Sequence, residues 1–150
     1  MSLDTDIKKN YIFKPNNKAE LNNSIKEYYK NSENAKKKYG NIKYWDVTNV
    51  ENLSYIFAEI SFNPDITLWD TSNATNMQCM FFKNDKFNHN ISSWNTKKVN
   101  NMICMFSESN YDYDLSGLNT QNVINMIGMF NKSTNMKNRF PNLVDNPNKD

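Results

Sequence analysis

The sequence holds one histidine, two cysteines, three glycines and four prolines in 150 residues, and each scarcity removes a class of function. With His89 alone, flanked by Asn88 and Asn90, no nucleophile–base–acid triad can be assembled. Zinc normally takes four nitrogen or sulfur ligands, and His89 with Cys79 and Cys104 falls short. Gly40, Gly117 and Gly128 stand too far apart to form a phosphate-cradling loop. The paired acids of the YDYDL stretch, Asp112 and Asp114, do not recur in the equivalent stretches FNPDI and FNHNI, so a repeated calcium site is not expected. Neither cofactor, metal nor catalytic residue is expected, and the chain reads as no enzyme.

Long apolar runs are missing as well. No stretch approaches the roughly 20 apolar residues that a membrane span needs. The opening MSLDTDIKKNYIF has two aspartates before any lysine and lacks the apolar core of a secretory signal. No cysteine lies near the start to accept lipid. A cytoplasmic, monomeric chain is therefore expected. Charge is nearly balanced at +2, with nine lysines against five acids in residues 1–41 and seven against nine in residues 42–138. Only the N-terminal part, with Lys36, Lys37 and Lys38, offers nucleic acid a basic face, and lysines near a helix end are usually solvated. Nucleic-acid binding through this lysine-rich cap is a minor alternative.

What the sequence has in excess is asparagine, 29 residues of it. Asn and Lys share adenine-rich codons, which points to an AT-rich genome. The asparagines also take part in a repeat. Trp45, Trp69, Trp94 and Leu118 follow one another at intervals of 24, 25 and 24 residues. Ile42, Ile66, Ile91 and Leu115 precede them by three, while Val50, Ala74, Val99 and Val123 follow by five. Leu53, Met77, Met102 and Met126 open a second apolar set, continued by Ile56, Met80, Met105 and Met129 and by Phe57, Phe81, Phe106 and Phe130. Phe62, Phe87 and Tyr111 close it. A period of this length signals a stacked architecture in which one unit cannot bury its apolar side alone.

Within a unit, Ile66 to Asp70 reads as a short strand, and Met77, Met80 and Phe81 have the i, i+3, i+4 spacing of one helical turn. The expected fold is therefore α/β: a leucine-rich-repeat-like solenoid of about four strand-plus-helical-turn rungs over residues 42–138. A helical cap over residues 1–41 precedes it, and a partial fifth rung with a tail occupies 139–150. In the cap, Asn17 with Glu20 suits a capping box, Ser32 can open a second helix, and Gly40 suits its end. Leu21, Ile25, Tyr28, Ala35 and Tyr39, joined by Phe13, would cover the first rung at Ile42 and Trp45.

Two polar columns stand out. Asn52, Asn76, Asn101 and Asn125 recur in every unit, which suits a structural amide ladder that satisfies backbone groups, and Asn76→Leu is expected to lower stability by roughly a few kcal/mol. If side chains alternate about the tryptophans, then Tyr44, Asp46, Leu68, Asp70, Ser93 and Asn95 line an exposed strip fit for a protein partner. Cys79 and Cys104 share one column, at a spacing that suits a disulfide between stacked backbones, whereas a reducing cytosol would keep both thiols free.

The blocks WDTSNATNMQCMF (Trp69–Phe81) and FNHNISSWNT (Phe87–Thr96) closely resemble the BspA-like surface-protein repeat, also known as a domain of unknown function in mycoplasmas. The run from Lys18 to Val50 is similar to the helical lead-in that often precedes such repeats. The resemblance implies a leucine-rich-repeat-like scaffold for protein interaction, often displayed on bacterial surfaces, and no enzymatic activity. A non-enzymatic protein-binding module with an unknown protein partner is the leading expectation, and a surface adhesin or glycan-binding module is the alternative.

Overall fold

A computed structural model describes residues 12–133. Helix α1 spans Lys18–Lys30 and helix α2 spans Ser32–Tyr39, followed by a single 3₁₀ turn at Ile42–Tyr44. The Asn17 side chain caps α1 by accepting from the Glu20 N–H at 2.9 Å, and the Glu20 carboxylate reaches back to the Asn16 N–H at 2.7 Å. Asn31 caps α2 in the same way, through the Asn34 N–H at 3.1 Å. Gly40 ends α2 at φ 73, a conformation that costs glycine little.

Beyond Tyr44 the expected α/β rung does not exist. Among the described residues, no strand forms and no helix follows the 3₁₀ turn, so this is not a strand-plus-helix solenoid. The reason lies in the backbone. Two residues four apart take positive φ in each segment: Tyr55 and Glu59, Cys79 and Lys83, Cys104 and Glu108, Gly128 and Lys132. A right-handed helix and an extended strand both exclude that conformation.

A ribbon of overlapping turns replaces them. In the segment from Met77 to Asn84, the N–H groups of Met80, Phe82 and Asn84 donate three residues back, to Met77, Cys79 and Phe81. The intervening N–H groups of Met77, Cys79, Phe81 and Lys83 donate forward, to Asn101, Ile103, Met105 and Ser107. The carbonyls of Asn76, Gln78, Met80 and Phe82 accept from Leu53, Tyr55, Phe57 and Glu59 of the preceding segment. Alternate backbone groups thus bond within a segment and between segments, which satisfies this interior backbone without sheet or helix. Parallel bridges Asn52–Asn76, Asn76–Asn101 and Asn101–Asn125 hold successive segments in register.

The excess of asparagine and aspartate has its use here. Asn41, Asp65, Asn90 and Asp114 each accept the backbone N–H two residues on, as do Asp46, Asp70, Asn95 and Asn119. Asn52, Asn76 and Asn101 do the same for Ser54, Gln78 and Ile103. Each segment therefore turns its corners on short side chains that close local rings.

The apolar columns fill the interior as one cluster running from Phe13 to Met129. Phe57, Phe81, Phe106 and Phe130 stack with centroids 5.7, 5.3 and 6.0 Å apart and planes within 12°. Each tryptophan ties its segment to what precedes it: the indole N–H groups of Trp45, Trp69 and Trp94 donate to the carbonyls of Gly40, Ile42 and Ile66. The two helices close the N-terminal side, where Phe13, Tyr28 and Tyr39 surround Trp45 at 4.9, 5.7 and 5.8 Å. The end of the fourth repeat, including Met136, and the expected fifth rung at Phe140 and Leu143 lie outside the described residues.

Candidate functional site

The six residues of the expected strip occupy two recurring turn positions, and no strand among the described residues sets them there. In each segment the residue at the tryptophan position donates its N–H to the carbonyl three residues back: Trp45 to Ile42, Trp69 to Ile66, Trp94 to Ile91 and Leu118 to Leu115. In each of these turns the two end side chains are buried. Tyr44, Leu68, Ser93 and Gly117 occupy the tips and are exposed. The next column, Asp46, Asp70 and Asn95, carries the turn-closing oxygens; Asp70 and Asn95 are exposed and Asp46 is half-buried.

The tip column is apolar at its N-terminal end. Tyr44 and Leu68 expose 60% and 59% of their surface. Beside them the Lys43 ammonium meets the Asp65 carboxylate at 2.7 Å, joining the first segment to the second. That hydrogen bond, seconded by Thr67, holds the Asp65 carboxyl at about 2. On the other flank the Thr48 hydroxyl and N–H lower the pKa of Asp46, with Lys14 adding to the effect at 3.0 Å. The Ser72 hydroxyl and N–H lower that of Asp70, while the charge of Asp46 pushes it upward. Two adjacent carboxylates therefore stay ionised next to two exposed apolar side chains. One oxygen of each, Oδ1, accepts the hydrogen bond that closes its turn.

The asparagine column runs along a different part of the surface. Asn52 is exposed, and Asn76, Asn101 and Asn125 are half-buried. Lys18 of α1 covers the N-terminal end, its ammonium 3.3 Å from the Asn52 side-chain oxygen and 2.6 Å from the Ser54 hydroxyl. The partial burial of Lys18 lowers its pKa. In the lysine-rich cap, Lys36 pairs with Glu33 at 3.1 Å and Lys38 with Glu27 at 3.0 Å. His89 is half-buried, with Nε2 3.4 Å from the Asn63 carbonyl oxygen. Among the described residues, no three His, Cys, Asp or Glu side chains gather where they could hold a metal ion.

One feature escaped the sequence reading: a cavity of about 210 Å³ between α1 and the first segment, lined by Asn22, Lys26, Tyr29, Tyr55 and Ile60 among others. It depends on how α1 is set against Tyr55, which no periodicity encodes. The available signal was Tyr55 itself, a bulky residue in a column that elsewhere holds cysteine and glycine.

A family model described as Mycoplasma protein of unknown function, DUF285, matches residues 12–143. The chain belongs to this family. The match takes in both described helices and every described segment of the turn ribbon. No curated protein and no solved structure matches the chain. No helix among the described residues is long and apolar enough to cross a membrane.

Proposed function

We propose that the chain is a non-enzymatic protein-binding module whose partner docks on the ridge of Tyr44, Asp46, Leu68, Asp70, Ser93 and Asn95. The observation that carries this reading is the exposure of two large apolar side chains, Tyr44 and Leu68, at the same turn position of successive repeats, each followed two residues on by a carboxylate, Asp46 and Asp70. Burying such side chains beneath a partner yields about 25 cal/mol per Å² of apolar surface, and the carboxylate of Asp70 favours a partner with basic groups around an apolar anchor. The likeness of the segments to BspA-like surface-protein repeats supports the same class of function. The ion pairs of Lys36 and Lys38 with Glu33 and Glu27 weaken the basic face that the nucleic-acid alternative needs.

The test is affinity capture with the parent chain and with a Tyr44→Ala, Leu68→Ala double variant. Both side chains are mostly in solvent, so the variant should melt within a few degrees of the parent. Partners that bind the parent are expected to be lost from the variant, and their recovery is expected to fall with added salt. Full retention by a folded variant would reject the ridge.

A further inference from the structure

The column Tyr55, Cys79, Cys104 and Gly128 brings two thiols together on adjacent segments. All four residues take positive φ, between 51 and 65. Equivalent backbones directly bonded to one another lie side by side: Tyr55 N–H donates to Gln78, Cys79 N–H to Ile103 and Cys104 N–H to Ile127, at 3.0, 2.8 and 3.0 Å. Parallel strands bonded in this forward manner lie about 4.8 Å apart, inside the Cα range that a disulfide spans, and the Cys79 and Cys104 thiols are within hydrogen-bonding reach of each other. Both cysteines are free thiols.

We infer that Cys79 and Cys104 form a reversible dithiol–disulfide site, oxidised by low-molecular-weight disulfides into a covalent tie between the second and third segments. The two sulfurs are not equivalent. Cys79 is buried between Tyr55 and Cys104, whereas Cys104 is half-exposed. Beside Cys104 stands Gly128, where even a Cβ would come within 3.1 Å of the Cys104 sulfur. Cys104 is the thiol that a small reagent reaches first, and Cys79 is the one that resolves.

The chemistry balances as thiol–disulfide exchange. Cys104 releases its proton, and its sulfur attacks one sulfur of the small disulfide; a mixed disulfide forms and one small thiolate leaves. Cys79 then loses its proton and attacks the Cys104 sulfur. The Cys79–Cys104 bond forms, and the second small thiolate leaves. The protein gives up two electrons and two protons, and the reagent departs as two thiols. Burial, with the Cys79 thiol adjoining, raises the Cys104 pKa, and Cys79 also raises that of Tyr55. The reactive thiolate is therefore scarce at neutral pH, and the exchange should quicken as pH rises.

The test uses the full chain and its Cys79→Ser and Cys104→Ser variants, each incubated with oxidised glutathione and then alkylated before intact-mass measurement. The parent is expected to lose two hydrogens and take up no alkyl group. The Cys79→Ser variant should accumulate one glutathione on Cys104, and the Cys104→Ser variant should take up no glutathione over the same period. Two alkyl groups on the oxidised parent, or a disulfide-linked dimer in place of the internal bond, would overturn the inference. Equal glutathione uptake by the two variants would overturn the assignment of Cys104 as the entry thiol. Should a variant fail to fold, peptide mapping of the parent after limiting alkylation decides: Cys104 labelled about tenfold over Cys79 supports the assignment, and equal labelling rejects it.

Discussion

Asn84 is completely buried, and its amide makes four hydrogen bonds. The side-chain nitrogen donates to the carbonyls of Phe57 and Phe62 at 3.2 and 3.1 Å, and the oxygen accepts from the N–H groups of Lys86 and Phe87 at 3.1 and 2.9 Å. It thereby joins the first segment to the loop that closes the second. Asn76 does less, accepting the Gln78 N–H at 2.9 Å from a half-buried position where water can replace the amide. Replacement by leucine should separate the two. Asn84→Leu leaves four backbone groups without their partner and is expected to cost about 3 kcal/mol, against about 1 kcal/mol for Asn76→Leu. Urea unfolding of both variants would measure the difference, and equal losses would show that burial of the amide is not what matters. The asparagine column was conspicuous in the sequence because it recurs. Asn84 was not, because its counterparts one and two repeats on are Ser109 and Ser133, which bond differently.

The turn ribbon shows what periodicity could and could not reveal. Every apolar column read from the sequence falls on residues that pack in the core or against it, because inward-facing positions repeat whatever conformation links them. The conformation itself was misread. Met77, Met80 and Phe81 have helical spacing, yet they face inward from consecutive turns bonded three residues back. The positive φ at Cys79 and Lys83 breaks the helical path and frees alternate N–H groups to bond the next segment, and neither residue type announces it. Glycine, the usual marker, stands at this column only once, at Gly128. Tyr44, Leu68 and Ser93 are exposed beside buried tryptophans because a residue next to an inward side chain can project outward in a turn as in a strand. The cavity beside α1 was not legible, because the setting of a helix against a turn leaves no period in the sequence. Glu59 offers a direct test of the ribbon, being exposed with φ 60. In a helical turn, Glu59→Gly would lose about 1 kcal/mol. At a left-handed position the same change removes a strain of roughly 1 kcal/mol, offset in part by the greater backbone freedom of glycine when unfolded. Thermal melting is expected to show Tm unchanged or raised, and a clear fall would contradict the backbone described for this segment.

At the scale of the molecule, stability resides between segments. One segment of about 24 residues has too few inward side chains to offset the entropy of ordering itself, so each depends on its neighbours. Strong coupling is provided by the forward hydrogen bonds, by the phenylalanine stack and by the indole bonds from each tryptophan to what precedes it. The helices are bound into the same system, because Tyr28 and Tyr39 pack on Trp45 and Lys18 bonds to Ser54. Such coupling should make unfolding a single event, although the described helices lie at one end and the three tryptophans are spread over three segments. Among the described residues, far-ultraviolet ellipticity reports chiefly on α1 and α2, and indole fluorescence reports on the segments. The two probes are expected to give coincident urea transitions with one midpoint and one slope. A helical signal lost at lower urea than the fluorescence would mean that the cap frays independently. The reverse order would mean that the segments melt from the far end, and either result would place the weak interface on one side of Trp45 or the other.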